Sequence, residues 1–160
     1  PRLREAGLRQ VWREHGAPEA AVRTLVESGW VADADQVDPH HFTRLIEGLF
    51  DDSEREAPTA LFCVTDLWAF WTIQALHRLG GRVPEDVSVV GVDDLPGAAS
   101  YTPALTTVRQ CYKALGAAAA ELLLELLQDD GQRKVVKQLH EPKLIVREST
   151  APPAFRSSDL

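Results

Sequence analysis

Short apolar runs alternate with helical patterns through the centre of the chain, residues 58–110. The runs at 60–64 and 87–92 have the composition of strands that are buried on both faces. Between them the pattern predicts a helix of about four turns, with Asp66 as its N-cap and the glycine pair 80–81 at its end. A strand, a helix and a second buried strand in this order indicate a parallel sheet.

The flanking regions continue the same alternation. One of them carries a stripe of leucines at helical spacing, among them Leu115, Leu122 and Leu126, which standing alone would be exposed. The predicted flanking elements are a helix over 2–15, a strand over 21–26, a helix beginning at 38–39, a helix over 112–128, strands over 134–139 and 143–147, and a tail over 155–160. This order predicts an α/β fold with a doubly wound parallel sheet.

Asp93 and Asp94 directly follow the second buried strand. Open α/β sheets bind ligands at the carboxyl ends of their strands, so we expect a binding site at this edge. Acid–base catalysis is not expected, because neighbouring strand residues project to opposite faces and no Ser-His or Cys-His pattern is present. His40 and His41 would point apart at a helix start, so they are not expected to share a metal ion. The sequence thus predicts no metal site, cofactor or catalytic residue.

The composition suits one soluble globular unit, since 44% of the 160 residues are hydrophobic and 26% are charged. The net charge of −7 argues against direct DNA binding by this segment, because phosphate contacts need clustered Lys and Arg. Cys63 and Cys111 lack metal-site spacing, which favours a reduced protein in the cytoplasm. A chain that begins at Pro1 and contains no Met is interpreted as part of a longer polypeptide.

Three ordered blocks of sequence carry a resemblance to a known family. They are VPEDVSVVGVDD at 83–94, TPALTTVRQ at 102–110 and VREST at 146–150. Over residues 1–152 the chain resembles the effector-binding domain of the LacI/GalR bacterial transcriptional regulators, which implies a type I periplasmic-binding-protein-like fold. The resemblance also implies a division into two subdomains. Residues 1–110 and 147–154 would form the C-terminal subdomain, residues 111–146 would belong to the N-terminal subdomain, and the DNA-binding headpiece would lie outside this chain.

The resemblance further implies a function. The chain would bind a small sugar-like metabolite in a cleft between the subdomains and thereby alter the operator binding of an upstream helix-turn-helix in a repressor. Nucleosides and purines also occur as ligands of similar proteins, so the effector class stays open. The resemblance implies that Arg4 and Asp93 bind hydroxyls of the ligand and that Trp30 stacks on the sugar ring. It also implies that Thr65 contacts the ligand from a strand end, where the family usually has an Asn, and that Gln110 and Tyr112 lie at the edge of the cleft. Asp94 is expected to cap or brace the following turn.

The helix that begins at Asp66 carries large apolar residues on two sides, and such a helix is covered on two sides. The resemblance implies that one of these sides forms a homodimer interface; the alternative is a helix buried by its own chain. The predicted interface residues are Leu67, Phe70, Trp71, Gln74 and Tyr101.

Two other functional classes use this kind of fold. A periplasmic-type sugar-binding protein for a transporter would show a signal peptide and no headpiece. A sugar-modifying enzyme would need a base, a nucleophile or a metal cluster, and the sequence offers none of these. The block at 147–150 and the two-sided helix favour the regulator, and the encoded sequence before Pro1 would discriminate among the three.

Overall fold

The computed structural model describes residues 2–18, 21–25, 39–51, 56–128 and 140–153. The chain divides into two units, Pro1–Asp38 and Pro39–Leu160. The predicted strand over 134–139 and the tail over 155–160 lie outside the described residues. None of the described helices is both long enough and apolar enough to cross a bilayer.

The described part of the first unit contains helix α1 (Arg2–Glu14), as predicted. The strand predicted over 21–26 is wrong for residues 21–25, which do not form a strand. A strand needs a hydrogen-bonded neighbouring strand, and the described residues of the first unit contain none. Thr24 instead contacts α1: its hydroxyl donates to Glu5 Oε1 at 2.8 Å and accepts from Arg9 Nη2 at 3.0 Å.

The second unit is built on a four-stranded sheet with the order β1-β2-β3-β4. The first three strands are parallel, as predicted, but β4 runs antiparallel to β3, with Val108 opposite Leu144. The sheet is therefore mixed. The elements of this unit are α2 (Pro39–Phe50), β1 (Ala60–Phe62), α3 (Asp66–Arg78), β2 (Ser88–Val92), β3 (Thr106–Arg109), α4 (Tyr112–Gln128) and β4 (Lys143–Ile145).

The two apolar runs of the centre have different surroundings. Strand β2 is paired on both sides, and Val89 and Val92 are buried as predicted. Strand β1 stands at one end of the described sheet, and Phe62 is 42% exposed. The prediction that this run is buried on both faces is wrong, because an apolar run shows that a strand forms but not where it stands in the sheet.

The core lies between the sheet and helices α2 and α3. Ile73 of α3, Val89 of β2 and Leu105 are fully buried together, and Phe42 of α2 packs edge-on against Trp68 and Trp71. Helix α4 has the predicted bounds, and most of its leucines are exposed, among them Leu123 and Leu124 by 58% and Leu127 by 75%, while Leu122 is half-buried.

Residues 147–150 follow β4, and Ser149 fixes them to the sheet by hydrogen bonds. The buried Ser149 hydroxyl donates to the Val89 carbonyl at 2.6 Å and accepts from the Thr106 amide at 2.8 Å, while the Ser149 carbonyl accepts from the Val89 amide at 2.8 Å. One side chain thus joins the neighbouring strands β2 and β3.

Replacing Ser149 with alanine should lower the free energy of unfolding by about 1–3 kcal/mol, because a buried N–H would lose its acceptor. Urea denaturation followed by circular dichroism would measure this loss. The matched control is Ser100→Ala, since the Ser100 hydroxyl is exposed and its hydrogen bond to the Gly97 carbonyl is long, at 3.5 Å. Equal midpoints for the two variants would contradict the role given to Ser149.

Candidate ligand-binding site

An open cleft with a volume of ≈ 670 Å³ lies at the carboxyl ends of β2 and β3 and at the start of α4. The residues that line it are Asp93, Asp94, Arg109, Gln110, Cys111, Tyr112, Lys113, Ala114 and Ala117. The prediction of a site at this sheet edge rested on the position of the aspartates, and three of the predicted ligand-binding residues, Asp93, Gln110 and Tyr112, do line the cleft.

The turn that follows β2 presents the two aspartates in an unusual backbone conformation. Asp93 has φ = +118° and Asp94 has φ = +54°, a region that residues with a side chain seldom adopt. Such residues cost about 1–3 kcal/mol each and persist where the surroundings hold them. The Asp93 amide still donates to the Val108 carbonyl at 2.9 Å, so the turn begins from a regular ladder position.

The Asp93 carboxylate is held from one side. Its Oδ1 accepts a hydrogen bond of 2.8 Å from Gln110 Nε2 and another from the Tyr112 hydroxyl, and Gln110 Nε2 also lies 2.9 Å from that hydroxyl. Among the described residues, none donates to Asp93 Oδ2. A carboxylate oxygen that is oriented in this way, and lines a cleft, is suited to accept a hydrogen bond from a ligand hydroxyl.

Asp94 has a different environment from the one predicted. Its carboxylate does not brace the following turn but forms ion pairs with Arg109 Nε at 2.5 Å and with Arg147 Nη2 at 2.6 Å. Burial raises the pKa of Asp94, but the hydrogen bonds from Arg147 and Arg109 outweigh burial and place this pKa below its ordinary value. Asp94 therefore remains a carboxylate whose charge is balanced inside the protein.

The start of α3 also differs from the prediction by one residue. The N-cap is Thr65, whose hydroxyl oxygen accepts from the Trp68 amide at 3.4 Å, and not Asp66. Both residue types are good caps, and here the aspartate is fully buried. Burial raises the pKa of Asp66 more than the hydrogen bonds from Thr107 and Leu95 lower it.

Thr65 is not among the described residues that line the cleft. Arg4 lies on α1 in the first unit, Thr65 caps α3, and Trp30 lies outside the described residues. No role was predicted for Arg109 or Arg147, although both occur in the blocks that carried the resemblance. Arg147 is 53 positions from Asp94, so no local pattern indicated this ion pair.

The predicted interface residues lie on α3 and just before β3. Phe70 stacks on Tyr101 with ring centroids 4.6 Å apart, and the Tyr101 hydroxyl donates to the Phe70 carbonyl at 3.0 Å. Trp71 packs on Phe42 of the same chain at 5.9 Å, so one side of α3 is partly covered by α2. Leu67 is half-buried and Gln74 is exposed.

The sequence of the chain is similar to a known domain family and to bacterial transcriptional repressors. Residues 1–150 match a family profile described as a periplasmic binding protein-like domain. Over 92 residues the chain is 40% identical to the HTH-type transcriptional repressor PurR of Pasteurella multocida, a match that covers 58% of this chain and 27% of the relative. The chain spans less than half the length of the curated relatives it matches.

Solved structures show the same similarity. A LacI family transcriptional regulator from Enterococcus faecium with bound ribose has a TM-score of 0.72 and 27% identity, covering 91% of this chain and 50% of that chain. The lac repressor dimer bound to operator and the anti-inducer ONPF has a TM-score of 0.59 and 32% identity, covering 71% of this chain and 37% of that chain.

Proposed function

Because the chain belongs to the family of periplasmic-binding-protein-like domains, as an effector-binding domain of the LacI/GalR type, we propose that it senses a small polyhydroxylated metabolite for a transcriptional repressor. The observation that carries this proposal is the Asp93 carboxylate. Gln110 and Tyr112 hold one of its oxygens, and no described residue donates to the other, which is left for a ligand hydroxyl.

We propose a sugar as the effector. A carboxylate acceptor and an amide, with a tyrosine ring beside them, match the alternating hydroxyls and apolar faces of a sugar. The bound ribose in the Enterococcus faecium regulator supports the same class. Arg4 and Trp30 remain predicted contacts of this effector, and Thr65 would add one hydroxyl from the start of α3.

The wider function follows the same proposal. The effector would shift a population of two cleft states, by an amount set by its differential affinity for them, and so change operator binding by a headpiece outside this chain. The partner subunit would be a second copy, docked through the surface formed by Leu67, Phe70, Trp71, Gln74 and Tyr101. The structure of the lac repressor dimer bound to operator supports the proposed operator binding and the proposed dimer. The protein would act in the cytoplasm and catalyse no reaction.

A thermal-shift screen of the full-length protein tests the effector class. The panel contains monosaccharides, disaccharides, sugar phosphates, nucleosides and purines. A ligand at about one hundred times its dissociation constant adds about 2.7 kcal/mol to the free energy of unfolding, which raises the melting temperature by several degrees. A shift with purines and none with sugars would make the sugar assignment wrong.

Replacing Asp93 with alanine should weaken the binding of the sugar found in this screen about tenfold to a hundredfold, because a hydrogen bond to a charged acceptor is lost. Isothermal titration calorimetry would measure the dissociation constant. The matched control is Asp86→Ala, because Asp86 pairs with the exposed Arg82 and does not line the cleft. Equal affinities of Asp93→Ala and the wild type would remove the main support for the site.

A further inference from the structure

Asp66 is a buried carboxylate that has no role in the proposed effector site described above. Its side chain is inaccessible to solvent, and burying a charge is unfavourable unless hydrogen bonds compensate. Helix α3 does not need Asp66 as a cap, because Thr65 fills that position. The two carboxylate oxygens bind elsewhere: Oδ1 accepts from the Thr107 hydroxyl at 2.5 Å, and Oδ2 accepts from the Leu95 amide at 2.7 Å.

These two hydrogen bonds reach the turn that presents Asp93. Leu95 is the residue after the two positive-φ aspartates. Thr107, which donates to Asp66, accepts from the Asp94 amide at 3.4 Å. Asp66 therefore contacts the turn directly at Leu95 and through Thr107 at Asp94. A turn in an unfavourable backbone conformation needs such outside support.

We infer that Asp66 is a positioning residue of the effector site. It holds Asp93 and Asp94 in their positive-φ conformation, and so keeps the Asp93 carboxylate between Gln110, Tyr112 and the cleft. The inference rests on the proposed function for the ligand, but the contact between Asp66 and the turn can be tested without one. The competing explanation is that Asp66 only adds stability to the fold.

Residue-resolved amide hydrogen exchange of the full-length protein separates these explanations. The decisive amide is that of Asp93, whose acceptor is the Val108 carbonyl, a bond that substitution of Asp66 does not remove. In Asp66→Ala we expect the amides of Asp93 and Asp94 to accelerate about ten times more than the amide of the buried Ile73 of α3, which reports the loss of global stability.

Ser149→Ala is the matched control, because it too removes a buried side-chain acceptor from one backbone amide, that of Thr106. It should accelerate exchange at Thr106 and accelerate Asp93 no more than it accelerates Ile73. Asp66→Asn is the rescue variant: its oxygen can accept from Leu95 and its amide group can donate to Thr107, so exchange at Asp93 should stay within about threefold of the wild type. If Asp66→Ala does not fold, Thr107→Val is used in its place: it breaks the path through Thr107 and leaves the hydrogen bond of Asp66 to Leu95, and the Asp93 amide remains the one that decides.

Two exchange results would overturn the inference. Faster exchange at Leu95 alone would make Asp66 a single local hydrogen bond, and parallel acceleration at Asp93 and Ile73 would make it a general stabiliser. D-ribose serves as the binding probe: its dissociation constant should rise about tenfold in Asp66→Ala, recover in Asp66→Asn and stay unchanged in Ser149→Ala. An unchanged constant in Asp66→Ala would also overturn the inference. If the wild type does not bind ribose, the sugar proposal loses support, while local exchange at Asp93 still establishes Asp66 as the residue that holds the turn.

Discussion

Replacing Gly91 with alanine is expected to lower the free energy of unfolding by about 3–5 kcal/mol. Gly91 lies inside β2 and packs against Asp66 at the start of α3. A methyl group added there would stand 2.3 Å from Asp66 Oδ1, 3.0 Å from Leu105 Cδ2 and 3.2 Å from Asp66 Cα. The carboxylate can leave only by giving up its hydrogen bonds to Leu95 and Thr107, and the backbone of α3 would have to move as well.

The measurement is urea denaturation of Gly91→Ala beside two other glycine-to-alanine variants. Gly116 lies inside α4, and a methyl group added there would meet no atom of the described residues within 4 Å apart from its chain neighbours and the backbone of its own helix. Gly116→Ala should therefore be neutral or stabilising by up to about 1 kcal/mol. Gly97 would meet only the edge of Phe70 at 3.6 Å, an ordinary contact distance. A loss for Gly91→Ala no larger than for Gly97→Ala would show that α3 can move away from the sheet at little cost.

Much of the second unit could be predicted from the sequence because its patterns are local. Helix α4 has the predicted bounds because its leucines repeat at helical spacing over the whole element. The meeting of Asp93, Gln110 and Tyr112 follows from the rule that neighbouring parallel strands end at the same sheet edge. The match to the periplasmic binding protein-like family confirms the fold class.

The parts that were predicted wrongly depend on distant partners. Thr107 and Leu95 donate hydrogen bonds to the Asp66 carboxylate in the interior. Thr65, and not Asp66, is therefore the N-cap of α3. The ion pairs of Asp94 depend on Arg147, which is 53 positions away in the sequence. A local sequence pattern holds no information about such distant contacts. The exposure of β1 could not be predicted for the same reason, because it depends on how many strands lie beside β1 in the sheet.

Replacing Arg147 with alanine is expected to lower the free energy of unfolding at neutral pH by about 3 kcal/mol. Its guanidinium group donates to Asp94 Oδ1 at 2.6 Å and to the Leu105 carbonyl at 2.7 Å. The side chains of Arg147 and Asp94 are only 16% and 8% exposed. Without Arg147, Asp94 keeps Arg109 as a partner, which is 52% exposed and better screened by solvent. A buried carboxylate would then be only partly compensated.

The pH dependence of this loss identifies its origin. Because folding lowers the pKa of Asp94, its ionised form stabilises the fold fully above the unfolded pKa of 3.8, and this contribution is lost as the pH falls through the folded pKa. Removing Arg147 moves the folded pKa upward, so the stabilities of the wild type and Arg147→Ala should converge as the pH falls below about 4. Arg82→Ala, which removes an exposed ion pair, should leave the urea midpoint at neutral pH nearly unchanged. If Arg147→Ala loses the same free energy of unfolding at neutral and at acid pH, Arg147 stabilises the fold by packing and by its hydrogen bond to the Leu105 carbonyl. Its ion pair with Asp94 would then make no measurable contribution.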